Sequence, residues 1–238
     1  MSQSQGVAAV DRALSILEAF RDSDGCLSLK DIAEATGLYK STSLRLLASL
    51  ERFGYVHRLD EGRYQIGPKP AELSAVYQRS FNLRDYVVPA LNELVSEVNE
   101  SASLYVRVAD QQLCLFRVES KQVLRDHIQE GDTLPLDVGA SGKVFRLYSD
   151  HAATEFLPAL QSGDFVARSV GERQPDMAAL AAPVFGIGGK FIGALSISGP
   201  RSRMDDAALD RLELSIRRVA INLSLRLGAP ADCFAKPA

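Results

Sequence analysis

The chain has 238 residues, room for two domains of ordinary size. Its 27 Lys and Arg against 30 Asp and Glu give a formal net charge of −3, which excludes a protein that coats DNA by bulk charge but not one with a local basic face. No apolar run is long enough to span a membrane, and the polar start MSQSQG does not read as a signal peptide. The isolated cysteines (Cys26, Cys114, Cys233) and histidines (His57, His127, His151) lack metal-ligand or redox spacing, so neither metal nor cofactor is expected and a reducing cytoplasm is.

Residues 1–6 read as disordered. Ala8 to about Arg21 reads as a helix with Val10, Ala13, Leu14, Leu17 and Phe20 on one face. Arg12 suits either a phosphate contact or plain solvent. Asp22–Gly25 reads as a turn. The next stretch, Leu27 to Arg63, is the most informative. Ser28 and Asp31 have the spacing of a capping box at the start of a helix to about Thr36, with Leu29, Ile32, Ala33 and Thr36 on its inner face. Gly37 supplies the positive φ that a helix end favours. A second helix runs from about Tyr39 to Phe53, with Leu46, Leu47, Leu50 and Phe53 as its buried stripe. Tyr55–Arg58 and Arg63–Ile66 alternate like strands around the turn Leu59–Gly62.

Helix, glycine turn, helix and hairpin in that order predict a winged helix-turn-helix, which places its second helix in the major groove of double-stranded DNA. The early residues of that helix, Lys40, Ser41, Thr42, Ser43 and Arg45, are short hydroxyls and long cations suited to phosphate and base-edge contacts. His57, Arg58 and Arg63 on the wing are candidates for the backbone or minor groove. Arg52 fits a solvated face better than DNA.

After Pro68 and Pro70, residues 69–82 read as a connecting helix, and Leu83 to about Asn99 as another. From Ser101 the hydrophobic period changes to two. Leu104–Val108, Leu113–Val118 and Gln122–Ile128 are expected as strands of an antiparallel meander. Gly139-Ala140-Ser141-Gly142 feeds a helix at Lys143–Tyr148, which makes either a trap for a carboxylate at a helix N-terminus or a loop that merely needs small residues to turn. His151–Leu160 reads as a short helix, and Gly163–Val166 begins an extended segment. Ala178–Phe185 and Lys190–Ser198 are strands joined by a glycine-rich link. Ser196 and Ser198 share one face of the latter, either to orient a polar ligand or to bond across strands. Asp205 caps a long helix to Leu227, and Ala229–Ala238 reads as a frayed tail.

These segments resemble the IclR family of bacterial transcriptional regulators. The first domain carries the resemblance in AVDRALSILEAF (Ala9–Phe20), LSLKDIAEATGL (Leu27–Leu38), KSTSLRLLASLERFGYV (Lys40–Val56) and GRYQIGP (Gly62–Pro68). The second carries it in LPLDVGASGKV (Leu134–Val144), LAAPVFGIGGKFIGALSISGP (Leu180–Pro200) and the closing helix to Leu227-Gly228. The resemblance implies an α/β (α+β) fold: a winged helix-turn-helix over 1–68, a linker helix over 69–82, a GAF-like effector domain with an antiparallel sheet over 83–230, and a tail at 231–238. It also implies a homo-oligomer, a dimer or a tetramer built from two dimers, that binds a palindromic operator as repressor of a catabolic operon.

Carried over by position, the effector site is Gly139 with the backbone at Ala140 and Ser141, the hydroxyls of Ser196 and Ser198, and apolar walls at Val123 and Leu134. Several positions depart from the family's pattern. Tyr39 stands where proline is usual, Ala179 where cysteine is frequent, Asp137 where histidine is frequent, and the stretch from Ser149 to Gly163 is short. A small carboxylate is the expected effector, although no cation is clearly placed beside the site. The alternatives are an adaptor whose second domain only oligomerises, or an enzyme acting on a small acid. The latter lacks any G-x-S-x-G elbow, His–acid pair or phosphate loop.

Overall fold

The computed structural model describes residues 6–21, 23–148 and 165–234. It divides into two compact units, Met1–Phe81 and Asn82–Ala238.

The first unit contains helices α1 (Ala8–Glu18), α2 (Leu29–Thr36), α3 (Lys40–Arg52) and α4 (Lys69–Ser80), with strands β1 (Cys26–Leu27), β2 (Val56–Arg58) and β3 (Tyr64–Ile66). The capping box is present: the Asp31 backbone N–H donates to Ser28 Oγ at 3.2 Å, and the Ser28 N–H donates to Asp31 Oδ2 at 2.9 Å. Gly37 ends α2 at φ 67°, a conformation that a side chain would strain. The wing carries a third strand that periodicity did not suggest: β1 pairs with β3, giving the order β1-β3-β2.

Ile16, Phe20, Ile32, Leu47, Leu50, Val56 and Tyr64 form the core. Here the helical faces expected from sequence need correction. On α1 the inward stripe is Ala13, Ile16, Leu17 and Phe20, while Val10 and Leu14 are each 54% exposed. Ala13, Leu17 and Phe20 of the expected face do point inward; Ile16, left out of it, completes the spacing i, i+3, i+4, i+7 in place of Val10 and Leu14. Phe53, expected inside α3, is 62% exposed with the Arg52 guanidinium 5.1 Å from its ring centroid.

The second unit is built on a six-stranded antiparallel sheet in the order β6-β5-β4-β9-β8-β7. Its strands are β4 (Ser101–Val108), β5 (Gln111–Val118), β6 (Thr133–Pro135), β7 (Ala167–Val170), β8 (Met177–Phe185) and β9 (Phe191–Pro200). Consecutive side chains of a strand face opposite ways, and along β8 and β9 nearly all are buried, so both faces of the sheet are covered there. Helices α5 (Leu83–Val98) and α7 (Asp206–Arg226) pack together and onto the sheet; α6 (Gly139–Tyr148) packs on β7, β8 and β9. Asp205 caps α7 by accepting the Ala208 N–H at 2.8 Å.

Gln122–Ile128 is not a strand. Val123 and Leu124 are exposed, so the segment has no continuous face to bury, and its polar groups bond locally, as in Arg125 Nη1 to the Gln122 carbonyl at 3.2 Å. The tail is more ordered than its composition suggests: Ala231–Phe234 forms a short 3-10 helix that buries Cys233. The expected helix at His151–Leu160, residues 163 and 164 of the following extended segment, residues 1–5 and 235–238, and Asp22 of the first turn lie outside the described residues.

Candidate functional sites: a recognition-helix face and a small cavity

Helix α3 begins at Lys40 after Tyr39, whose φ of −63° is a value proline also holds, so the chain enters the helix without one. No side chain caps this N-terminus, which leaves its first backbone N–H groups open to an external acceptor. Lys40, Ser41 and Arg45 are exposed and Thr42 is half-buried. Ser43 departs from expectation: it is 0% exposed and donates its hydroxyl to the Tyr39 carbonyl at 3.3 Å. Its side chain turns into the α2–α3 packing, because at helical spacing it shares a face with Leu47 and Leu50. On the wing, His57 and Arg58 are exposed, and the Arg58 guanidinium lies 5.8 Å from the Tyr64 ring centroid. Arg63 is exposed but occupied: its Nε and Nη2 donate to Glu61 Oε1 at 2.9 and 2.7 Å.

In the second unit the expected GASG loop is the first turn of α6 itself. A Cβ on Gly142 would come within 2.6 Å of the Asp137 carbonyl carbon, so glycine allows this turn to seat against the preceding loop. Gln112 Nε2 holds that loop from β5, donating to the Pro135 and Val138 carbonyls at 2.8 and 2.9 Å.

Between this turn and the sheet is a small cavity of about 30 Å³. Leu134, Gly139, Ala140, Ser141, Ala179, Ser196 and Ser198 all line it, as expected. Val123 does not: it is 96% exposed, on the irregular segment that was expected to be a strand. Ser169, Ala179 and Ser198 stand in register across β7, β8 and β9, so the small Ala179 leaves space between two hydroxyls.

Sequence reasoning missed the charged groups. Arg173 and Tyr105 also line the cavity. Behind them Asp126, almost fully buried, accepts from Arg117 Nη2 through Oδ1, and from Ser198 Oγ at 2.6 Å and Arg173 Nη2 at 3.3 Å through Oδ2. Arg117 also donates to Ser103 Oγ at 2.9 Å. One carboxylate against two guanidinium groups leaves an excess positive charge beside the cavity. The β7–β8 loop carrying Arg173 is anchored by Lys143 of α6, whose ammonium donates to the Arg168 carbonyl at 2.7 Å and to Glu172 Oε1 at 2.5 Å. Burial pushes the Tyr105 phenol up to about 12, so it keeps its proton at neutral pH. No sequence signal marked Arg173 or Asp126, because each lies in an irregular loop and the two are 47 residues apart.

A winged helix-turn-helix with a cationic recognition-helix face, followed by a separate α/β unit, defines a DNA-binding transcriptional regulator. Comparison with known proteins agrees. The IclR helix-turn-helix domain matches residues 9–60, and the bacterial transcriptional regulator IclR C-terminal domain matches residues 75–168 and 162–225. The transcriptional regulator XynR of Escherichia coli is 28% identical, over 94% of this chain and 99% of its own. The transcriptional repressor IclR of the same organism is 26% identical, over 93% and 90%. The crystal structure of the Agobacterium tumefaciens repressor BlcR shares the fold with a TM-score of 0.72 at 22% identity, covering 95% of this chain and 100% of that one. The chain belongs to the IclR family.

Proposed function

We propose that this protein is an effector-responsive repressor of a catabolic operon that acts in the cytoplasm, and that a small organic acid bound in the α6 cavity changes its affinity for a palindromic operator. The observation that carries this reading is the cavity itself. The first turn of a helix, Arg173 and several serines converge on one small cavity with excess positive charge. The relatives are named regulators and repressors, which supports a sensing role over turnover, and among the described residues no nucleophile–base pair lines the cavity.

On the DNA side the reading assigns Lys40, Ser41, Thr42 and Arg45 to the major groove and backbone, with His57 and Arg58 on the wing. Arg63 joins them only by releasing Glu61. Ser43 is withdrawn from the contact set because it is buried. Two copies each read one half-site, and the effector prefers one arrangement of the copies, since equal affinity for both would shift nothing.

The test begins with duplexes enriched from a random pool by the purified protein. Fluorescence anisotropy then measures binding to the best duplex, with and without each member of a panel of small organic acids. A palindromic consensus and an acid that both raises the melting temperature and changes duplex affinity support the reading. Operator binding indifferent to every acid, with no thermal shift, moves the protein to the adaptor reading, in which the second unit only oligomerises.

A further inference from the structure

We propose that the cavity selects a hydroxy acid over the corresponding oxo or unsubstituted acid, an inference that rests on the cavity being the effector site. Ser198 Oγ bonds the Asp126 carboxylate at 2.6 Å, and Ser196 Oγ bonds the Leu180 carbonyl at 3.0 Å. Both partners accept only, so each hydroxyl spends its single proton on the protein. What Ser196 and Ser198 offer the cavity is therefore lone pairs. A ligand meets them favourably only with an O–H or N–H of its own.

The remaining groups have the opposite polarity. Arg173 is purely a donor, and the first turn of α6 presents backbone N–H groups. Ser141 and Ser169 are each more than nine-tenths buried, and neither hydroxyl has a hydrogen-bond partner among the described residues. These donors suit a carboxylate. The cavity thus asks for an acid on one side and a hydroxyl proton on the other, with Ala179 leaving the space between Ser169 and Ser198 unfilled. A 2-oxo acid would set its carbonyl lone pairs against those of the serines, unless Ser198 gave up Asp126. An acid without the oxygen would leave the serines unpaired.

At about 30 Å³ the cavity is of water size as it stands, so the proposal is confined to the smallest 2-hydroxy acids, of three or four carbons, and its walls must widen to admit them. Asp126 is then a positioning residue: it fixes the direction of the Ser198 hydroxyl and draws Arg173 to the cavity wall.

The experiment measures binding of the full chain to both hands of lactate, to pyruvate and to propionate, and to their four-carbon counterparts, by calorimetry and thermal shift. One hand of a 2-hydroxy acid is expected to bind about tenfold more tightly than its oxo and unsubstituted partners, the factor of one net hydrogen bond. Ser198→Ala should shrink that ratio, with Ser196 left as the second acceptor, while the acids still bind; a single cooperative unfolding transition without ligand, at a lower temperature because Asp126 loses a donor, is the check on folding. Asp126→Asn can donate to Ser198 and so free its proton for the ligand; where this variant folds, preference should move toward the oxo acid. Equal binding of hydroxy and oxo acids, tighter binding of the oxo acid, or full discrimination surviving in Ser198→Ala overturns the inference and leaves the acid site standing. Failure of every acid to bind removes the acid site itself, and the inference with it.

Discussion

The Ser198 hydroxyl donates a hydrogen bond to the Asp126 carboxylate, 72 residues away in sequence, at 2.6 Å. That bond ties the central strand of the second unit to an otherwise irregular loop. The same carboxylate neutralises Arg117, and both side chains are almost wholly buried. Removing one partner of such a pair strands the other charge in low dielectric, which costs about 3–5 kcal/mol. Asp126→Ala should therefore destabilise the second unit by that order, read by differential scanning calorimetry of the full chain. Asp126→Asn, which keeps an acceptor for Arg117, should cost less. Equal losses in the two variants would mean that the charge of Asp126 contributes little.

Ser43 and Arg45 separate packing from recognition on one helix. Arg45 is exposed, so Arg45→Ala should leave the melting temperature unchanged and weaken operator binding by about 1–3 kcal/mol if it reads a base edge. Ser43 is enclosed, so Ser43→Leu should overpack the α2–α3 contact and destabilise the first unit by about 1–3 kcal/mol. Lys40→Ala should lower affinity for all duplexes alike and reduce the salt slope by about one, the signature of a phosphate contact. A titration of affinity against salt for each variant distinguishes these outcomes.

The capping box at the start of α2 makes a local prediction. Ser28→Ala leaves the Asp31 N–H without its acceptor and should cost about 1 kcal/mol. The Ser28 hydroxyl and backbone N–H also hold the Asp31 carboxyl below its usual range. A depressed carboxyl stabilises the fold above its ordinary value of 3.8 and loses that contribution as pH falls through the folded value. Acid titration of Ser28→Ala followed by circular dichroism should show a smaller loss below pH ~4 than the parent chain shows. The same acid response in both would place the stabilisation elsewhere.

What the sequence disclosed depended on whether a residue's job was periodic or local. The helix pair and wing were legible because capping spacing, Gly37 and alternating strands are short-range signals. The cavity's serines and small residues were legible only through family motifs, since Ser196 and Ser198 alone fit a plain cross-strand role equally well. Ile16 was left out and Ser43 misplaced because a helical wheel is uncertain by one position until the packing partner fixes its rotation. Asp126 and Arg173 were invisible: their pairing is made by the closing of two loops onto one face of the sheet, and nothing within either loop encodes it. Val123 fell outside the cavity for the matching reason, because a strand inferred from hydrophobic period had no face to bury.

The last prediction concerns alkaline pH. Burial pushes the Cys114 thiol up to about 11 and the Tyr105 phenol up to about 12, against ordinary values of 9.0 and 10.0. Both groups are neutral when protonated, so the folded chain keeps two protons that the unfolded chain releases earlier. Stability is therefore whole below pH ~9 and falls as pH rises from there toward ~12, because the unfolded state binds fewer protons across that window. Each group contributes a slope of up to about 1.4 kcal/mol per pH unit. Urea midpoints at pH 8, 9.5 and 10.5 should fall steadily in the parent chain. The drop from pH 8 to 9.5 should shrink chiefly in Cys114→Ala, and the drop from pH 9.5 to 10.5 in both Cys114→Ala and Tyr105→Phe, each compared with its own midpoint at pH 8. A parent-like slope in both variants would place the alkaline loss on other groups and leave Tyr105 and Cys114 without a part in it.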